Sequence, residues 1–418
     1  RDAKSYRFNS RFEWQNDWGD VTVTPYFRRT EMSFLQHFNP GTPLEQNGQH
    51  SLGLMTMVSG KYGQLSWQTG LDAEHTKGFL METQSVAAVG SAAIVATVPV
   101  GKHYDYSVVA QLLSPYAQLK YQLTAQDDVT FGVRYENLDY DYDNHMIDGR
   151  TRDNGVPCTN GGCRFNRPAD RTDTFDNSSV QIGWIHALNA MNQVYANYTN
   201  AFRPPDTNEI YRLQGTQSVA DLGSEKAHSI ELGVRGRIAK VDYSVALFHM
   251  NKDNVIIQDS NRINISGAET RHRGIEIGAS YKITEEWTLA GSITNARHNY
   301  EGTVNPGTVK LAGLEIDTAP KVMGNAQLRW RRAAYSAELE WVHMGAYFTD
   351  DANTARYPGH NLVNLRFHGD LTANLFYGVN ITNLLDRDYA ERADYAFGVE
   401  RYFVGEPRSV YVSAGYRF

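Results

Sequence analysis

Residues 230–238 read Ile-Glu-Leu-Gly-Val-Arg-Gly-Arg-Ile, and residues 275–283 read Ile-Glu-Ile-Gly-Ala-Ser-Tyr-Lys-Ile. In the first stretch Ile230, Leu232, Val234 and Ile238 share one parity, while Glu231, Gly233, Arg235 and Arg237 share the other. In the second, Ile275, Ile277, Ala279, Tyr281 and Ile283 alternate with Glu276, Gly278, Ser280 and Lys282. Successive side chains of a strand point to opposite faces, so a period of two describes a strand with one greasy face and one polar or small face. The pattern recurs over 322–330, 335–341 and 410–418, the last with Val410, Val412, Ala414, Tyr416 and Phe418 on the apolar side. About 17 such segments, at the roughly 10-residue length that crosses a bilayer, run from 5–15 to 406–418.

A soluble sandwich would also alternate, so the connections must decide. Short polar turns at 126–128, 189–192 and 284–286 alternate with long connections at 146–173, 207–224 and 394–405. Short turns on one rim and long loops on the other are expected of an outer-membrane barrel. Trp287, Trp330, Tyr335 and Tyr347 sit near strand ends, where an aromatic girdle would lie. The reading is therefore all-β, a transmembrane antiparallel β-barrel, with residues 1–418 as one barrel domain.

Composition agrees. Across 418 residues the apolar fraction is 41% and the mean hydropathy −0.50, which excludes a bundle of apolar helices. The longest apolar stretch, 87–100, contains Gly90 and Pro99 and falls short of the roughly 20 residues a spanning helix needs. It reads as a loop or strand extension. A net charge of −7 argues against a surface that holds nucleic acid through many phosphates. Cys158 and Cys163, five apart in a Gly-rich stretch, are expected to form a local disulfide in an oxidising compartment. Zinc would need four ligands, which are not in sight.

An odd strand count does not suit a bacterial barrel, which closes with an even number. Missing N-terminal strands are expected, about 22 strands in all, as in plugged transporters. The chain begins at Arg1 without a charged-then-apolar leader, so any signal peptide is expected to be removed or to lie outside it.

Residues 198–212, Tyr-Thr-Asn-Ala-Phe-Arg-Pro-Pro-Asp-Thr-Asn-Glu-Ile-Tyr-Arg, are similar to the strand-to-loop passage of TonB-dependent outer-membrane receptors. The likeness continues through 224–233, Arg273-Gly274-Ile275-Glu276, the final-hairpin stretch 380–389 and Gly405-Glu406-Pro407-Arg408. Upstream, Gly132-Val133-Arg134-Tyr135-Glu136 and residues 158–171 resemble iron-complex receptors of that family. The closing Tyr416-Arg417-Phe418 resembles the terminal aromatic signal, at Phe418, that the barrel assembly machinery reads. No plug domain and no energy-coupling motif is found in these residues.

The resemblance implies capture of a ferric siderophore by outer loops, then passage through the lumen driven by the TonB-ExbB-ExbD complex acting on a plug. Lipid and lipopolysaccharide would surround the barrel. The iron chelate is cargo, and no cofactor is expected. The inward set, Glu231, Arg235, Arg237, Glu276, Lys282, Arg329, Arg331, Glu338 and Glu340, suits a wall that holds a plug, or a simple solvated wall.

Many ferric chelates are anionic and flat, so arginine and aromatic side chains are the natural contacts. Tyr142, His145, Arg150, Arg152, Arg164, Tyr347, Arg356, Tyr395, Arg401 and Tyr402 lie in or beside expected outer loops and are the ligand candidates. Each also has the plainer reading of a solvated loop residue. Arg203-Pro204-Pro205 reads as a structural strand end. Asp139, Asp141 and Asp143 share a strand face but lack the glycine turn and closing glutamate of a calcium loop, so a hydrated extension is expected.

Among other readings, haem receptors place a histidine after a similar Arg-Pro, and residues 206–227 hold none. Cobalamin stays open as another ligand. Catalysis would need a nucleophile or paired carboxylates beside a base, and no motif groups them. A passive porin would show the same alternation. A plug-like domain upstream would separate the receptor from the pore.

Overall fold

The computed structural model describes residues 1–36, 41–258, 262–302, 310–396 and 398–417. In chain order the first elements are β1 (Asp2–Asn9), β2 (Phe12–Asn16), β3 (Gly19–Leu35), β4 (Leu44–Tyr62), β5 (Leu65–Gln84), α1 (Ala92–Thr97), β6 (Gly101–Gln122) and β7 (Asp127–Asn144). Next come β8 (Phe165–Asn166), β9 (Arg171–Asn189), β10 (Asn192–Arg203), α2 (Thr207–Tyr211), β11 (Leu213–Gln214), β12 (Glu225–Ile238), β13 (Val241–Gln258), β14 (Asn264–Lys282) and β15 (Trp287–Glu301). The chain finishes with β16 (Val322–Arg332), β17 (Tyr335–Met344), β18 (Tyr347–Phe348), β19 (Arg356–Tyr357), β20 (His360–Asp370), β21 (Leu375–Thr382), β22 (Ala390–Ala396), β23 (Val399–Val404) and β24 (Ser409–Tyr416).

Eighteen of these strands form one sheet, in which each strand pairs antiparallel with its sequence neighbours. β1 and β2 both pair with β3 and are two halves of one crossing. The ladder opens between them because Pro25 of β3, opposite Ser10, has no N–H to donate and only its carbonyl accepts, from Ser10 N at 3.2 Å. The described sheet is thus a meander of 17 crossings. With an odd number of alternating crossings, β1 and β24 run in the same direction, so they cannot pair antiparallel with each other. Among the described residues no ladder joins them.

One face of this sheet is apolar and open. Leu232, Leu247 and Ile275 lie directly opposite one another, as do Val234, Val245, Ile277 and Ile293 one step along. Leu232 is 53% exposed, Leu247 54% and Ile293 46%. A continuous band of this kind would be anomalous in water and is what hydrocarbon requires. On the other face polar side chains pair across strands: Arg329 reaches Glu338 at 2.8 Å, and Arg366 bridges Glu338 at 2.6 Å and Glu340 at 2.7 Å. Glycines on that face sit under rings. Gly53, Gly233 and Gly415 lie opposite Tyr26, Tyr195 and Phe376, and a Cβ on any of them would overlap the ring.

Connections alternate strictly. Three of the short turns share one device, in Leu123-Thr124, Ile283-Thr284 and Leu371-Thr372. The threonine hydroxyl accepts backbone N–H bonds from two and three residues on, for Thr284 at 3.2 and 3.1 Å, which closes the turn locally. The opposite rim carries the long connections, and these are not bare loops. Residues 87–100, expected as a loop or strand extension, contain α1, whose N-cap Ser91 accepts from Ile94 N. Within 394–405, expected as a loop, residues 394–396 belong to β22 and residues 399–404 to β23, which pair with each other. Tyr347, expected in the aromatic girdle, is buried in a loop cluster with Tyr357, Ala390 and Ala393. Trp287 and Trp330 do pair at the short-turn rim, with ring centroids 6.4 Å apart. Phe418 lies outside the described residues. No helix among the described residues is long and apolar enough to cross a membrane.

Ala279 points from the exposed apolar face of β14. Replacing it by Arg should cost about 2–4 kcal/mol if it lies near the bilayer midplane. Reversible urea unfolding in lipid vesicles measures this, and an unchanged midpoint would remove Ala279 from the lipid face.

Candidate functional site

The strands β5, β6, β7 and β9 continue beyond the apolar band on the long-loop side. On β7 the outward residues change from Phe131, Val133 and Tyr135, all exposed, to Asp139, Asp141 and Asp143. Asp139 accepts from Thr174 Oγ1 at 2.6 Å, and Asp176 accepts from Asn137 at 3.0 Å. Among the described residues no group of His, Cys, Asp or Glu is arranged to hold a metal ion. These aspartates lie on the part of the wall that extends beyond the apolar band.

Against the inner face of this extension the long connections build a compact core. Tyr142 stacks on Tyr211 with ring centroids 4.3 Å apart, and Tyr104, Tyr106, Phe165, Phe175, Ile210 and Leu213 pack around them. Tyr211 donates its hydroxyl to Asp173 at 2.8 Å. Arg167 is only 1% exposed and spends its guanidinium on the carbonyls of Ile147 at 2.7 Å, His103 at 3.1 Å and Thr151 at 2.7 Å. A buried cation fully bonded to backbone fixes the fold of the connection between β7 and β9, since losing any partner would strand a desolvated charge. Cys158 and Cys163 form a disulfide in the same connection, with Cα atoms 4.9 Å apart.

Two ion clusters lock the next connection, 204–224. Arg203 at the end of β10 reaches Glu225 at 3.1 and 2.9 Å and Glu209 at 3.0 and 3.1 Å. Glu209 also closes the capping box of α2 by accepting from Asp206 N at 2.7 Å. The hydrogen bonds to Glu225 and Glu209 raise the pKa of Arg203. The structural reading of Arg203-Pro204-Pro205 thus fits its contacts. Further along, Arg212 bonds Glu45 at 2.9 Å and also Glu82. His103 bonds Glu82 at 3.0 Å and the Pro99 carbonyl at 2.8 Å. Burial would raise the Glu82 carboxyl, but the His103 hydrogen bond and the Arg212 charge outweigh it and hold its pKa below the usual value.

Above Arg212 opens a small cleft of about 70 Å³, walled by Tyr104, Phe165, Val98 and Pro43 and edged by Arg164 and Arg262. Burial, and then the charge of Arg262, lower the pKa of Arg164, and Arg164 has no carboxylate partner among the described residues. Arg262 donates to Gln214 at 3.2 Å. Glu82 also lines the cleft but is engaged by Arg212 and His103, so the guanidiniums of Arg164 and Arg262 beside aromatic rings suit a small planar anion. A separate, wider cavity of about 560 Å³ is lined by Arg28, Glu74, Tyr106, Tyr140 and Asn208.

The ten candidates fall into two groups that the described contacts do not bring together. Of the first five, only Arg164 lines the cleft. Tyr142 is buried beneath Tyr211, and Arg150 clamps the Cys163 carbonyl at 2.9 Å. Arg152 is exposed. His145 sits on the outer side of the wall, 3.2 Å from Asp105 and 3.6 Å from Asp143. In the second group, Tyr347 accepts from Ala393 N at 2.8 Å, Arg401 bonds Asp394 at 2.6 Å and Arg356 lies over the Phe348 ring. Tyr395 and Tyr402 are exposed. The cleft residues Arg212, Arg262, His103 and Tyr104 had no signal in the sequence, because nothing local marks which side chains of distant segments converge.

Arg203→Ala should loosen the 204–224 connection by about 1–2 kcal/mol, a value discounted for the solvent that reaches this partly exposed side chain. Hydrogen exchange of the α2 amides reads the change. The Glu82 carboxyl, depressed in the folded state, stabilises the cluster fully above its ordinary pKa of 4.5. That contribution is lost as pH falls through the lower folded value. Exchange protection of residues 208–214 should therefore be constant from pH 7 to 5 and fall below about pH 4.5, whereas Glu82→Gln should flatten the profile.

The family model for the TonB dependent receptor-like β-barrel matches residues 1–384. The catecholate siderophore receptor Fiu of Escherichia coli K12 is 23% identical over 321 residues, 72% of this chain and 41% of that protein. The metal-pseudopaline receptor CntO of Pseudomonas aeruginosa is 24% identical over 308 residues, covering 70% of this chain and 40% of its own length. Among solved structures, the copper transporter OprC superposes over 100% of this chain and 66% of its own, with a TM-score of 0.80 at 16% identity, a likeness of fold. The chain spans about two fifths of the curated relatives it matches. An exposed apolar band, a polar inner face, loops gathered on one rim and a family match across most of the chain agree, and the chain belongs to the TonB-dependent receptor-like β-barrel family.

Proposed function

We propose that this barrel serves a bacterial outer-membrane receptor that takes up anionic ferric siderophore complexes with energy relayed by TonB, ExbB and ExbD through a plug. The observation that supports the reading is the cleft among the long connections, which Arg164 and Arg262 line together with Tyr104 and Phe165. At about 70 Å³ the cleft admits one flat, anionic arm of a chelate, which would take charge-assisted hydrogen bonds from the guanidiniums and stack on the rings. Relatives are receptors for a catecholate siderophore and for metal-pseudopaline, which supports a metal chelate as cargo and a role in transport rather than catalysis. Barrel assembly machinery, lipid and lipopolysaccharide complete the expected partners.

Cells carrying the full gene should accumulate labelled ferric chelate under iron restriction, deletion should abolish the uptake, and collapse of the proton-motive force should stop it. Uptake unchanged by deletion would reject the reading. Uptake that needs the gene yet persists without the proton-motive force would favour a passive pore. Within the cleft, Arg164→Ala should weaken chelate binding by about tenfold, the worth of one charge-assisted hydrogen bond near 1.4 kcal/mol, measured by fluorescence titration of the purified receptor.

A further inference from the structure

We infer that the outer wall of β13, β14 and β15 carries a docking site for the phosphate groups of an outer-leaflet glycolipid of the lipid A type. Leu232, Leu247 and Ile275 lie opposite one another in the lipid-facing band. One step further toward the long loops, on the same outward face, stand Ile230, His249, Arg273 and Arg297. The cations therefore begin directly where the apolar rows end, at the depth where headgroup phosphates lie.

Arg273 and Arg297 are directly opposite in the β14–β15 ladder, and both are exposed. Like charges in that position repel, their Cβ atoms being only about 5 Å apart. Neither has a carboxylate within ion-pair distance among the described residues, and neither has His249. The next step outward makes the contrast. There His228 is 3.6 Å from Asp253 and Arg271 is 3.3 Å from Glu301, so that level is neutralised by the protein itself. The repulsion at Arg273 and Arg297 is left for an external anion to relieve, and two adjacent guanidinium forks match phosphate oxygens in geometry and charge.

The excess of positive charge is confined to this one level of the wall, that of Arg273 and Arg297. On the wall formed by β7 and β9, the outward residues beyond the apolar band are Asp139, Asp141, Asp143 and Asp176. An occupant that has acyl chains to lie on Leu232, Leu247 and Ile275 and phosphates to meet Arg273 and Arg297 satisfies both levels at once.

The test uses the full-length protein purified in neutral detergent, with bisphosphorylated lipid A as the probe and native mass spectrometry as the readout. Wild type should bind lipid A, and Arg273→Ala/Arg297→Ala should bind it at least about tenfold more weakly. Arg273→Lys/Arg297→Lys should retain most binding, and dephosphorylated lipid A should not bind wild type. Equal binding by the alanine pair, or by dephosphorylated lipid A, would overturn the site. Displacement by inorganic phosphate at equal concentration would also overturn it, since a free-anion site needs no lipid. Retained strand content by circular dichroism shows that the variants fold, and the two wild-type lipid arms decide the question even if they do not. No iron chelate enters the measurement, so its result is independent of the transport reading.

Discussion

Everything in this molecule follows from the need to pair each backbone N–H and C=O where water is absent. In hydrocarbon an unpaired peptide group costs several kcal/mol, and among the described residues no helix can supply the pairing by crossing the membrane. The antiparallel ladder does so strand by strand, and it forces side chains to alternate between lipid and lumen. The exposed leucines and isoleucines and the inward Arg-Glu pairs are two consequences of one backbone arrangement. Even the exceptions obey it: where Pro25 cannot donate, the first crossing breaks into two strands.

Beyond the apolar band the constraint changes, because water returns and loops become affordable. Here the long connections are held by polar clusters rather than by a large core. Arg203 ties the end of one strand, a capping box and the start of the next strand into a single node. Arg167 does the same between a connection and β6, through backbone carbonyls and the Thr151 hydroxyl. Spending cations in this way leaves few free to meet a ligand, so the half-buried Arg164, with no carboxylate beside it, stands out within the cleft. It is a residue whose electrostatic environment improves when an anion arrives.

The same logic separates the two faces of the outer wall. Charges with partners in the protein serve the fold, as with Arg271 and Glu301. Charges with no carboxylate beside them among the described residues, Arg164 within the loops and the Arg273–Arg297 pair on the outer wall, mark where the surroundings must supply the counter-ion. Inside the loops that counter-ion is proposed to be the cargo, and outside, at the edge of the band, the membrane itself.

The sequence alone determined the class of fold, because alternation, turn length and strand length are local properties that the backbone imposes residue by residue. Residues 230–238 and 275–283 lie in β12 and at β14 as read, and about 17 crossings were legible for the same reason. The threonine device, a repeated Leu/Ile-Thr at hairpin ends, was not read from the sequence and emerges only from the turn hydrogen bonds. The site was much less so. Tyr142 and Tyr347 looked like loop aromatics facing a ligand and are buried pillars, and His145 faces outward. Only the tertiary structure decided which arginines meet across a cleft and which are consumed by carboxylates, because that depends on how connections far apart in sequence fold over one wall, and no periodicity in the chain records it.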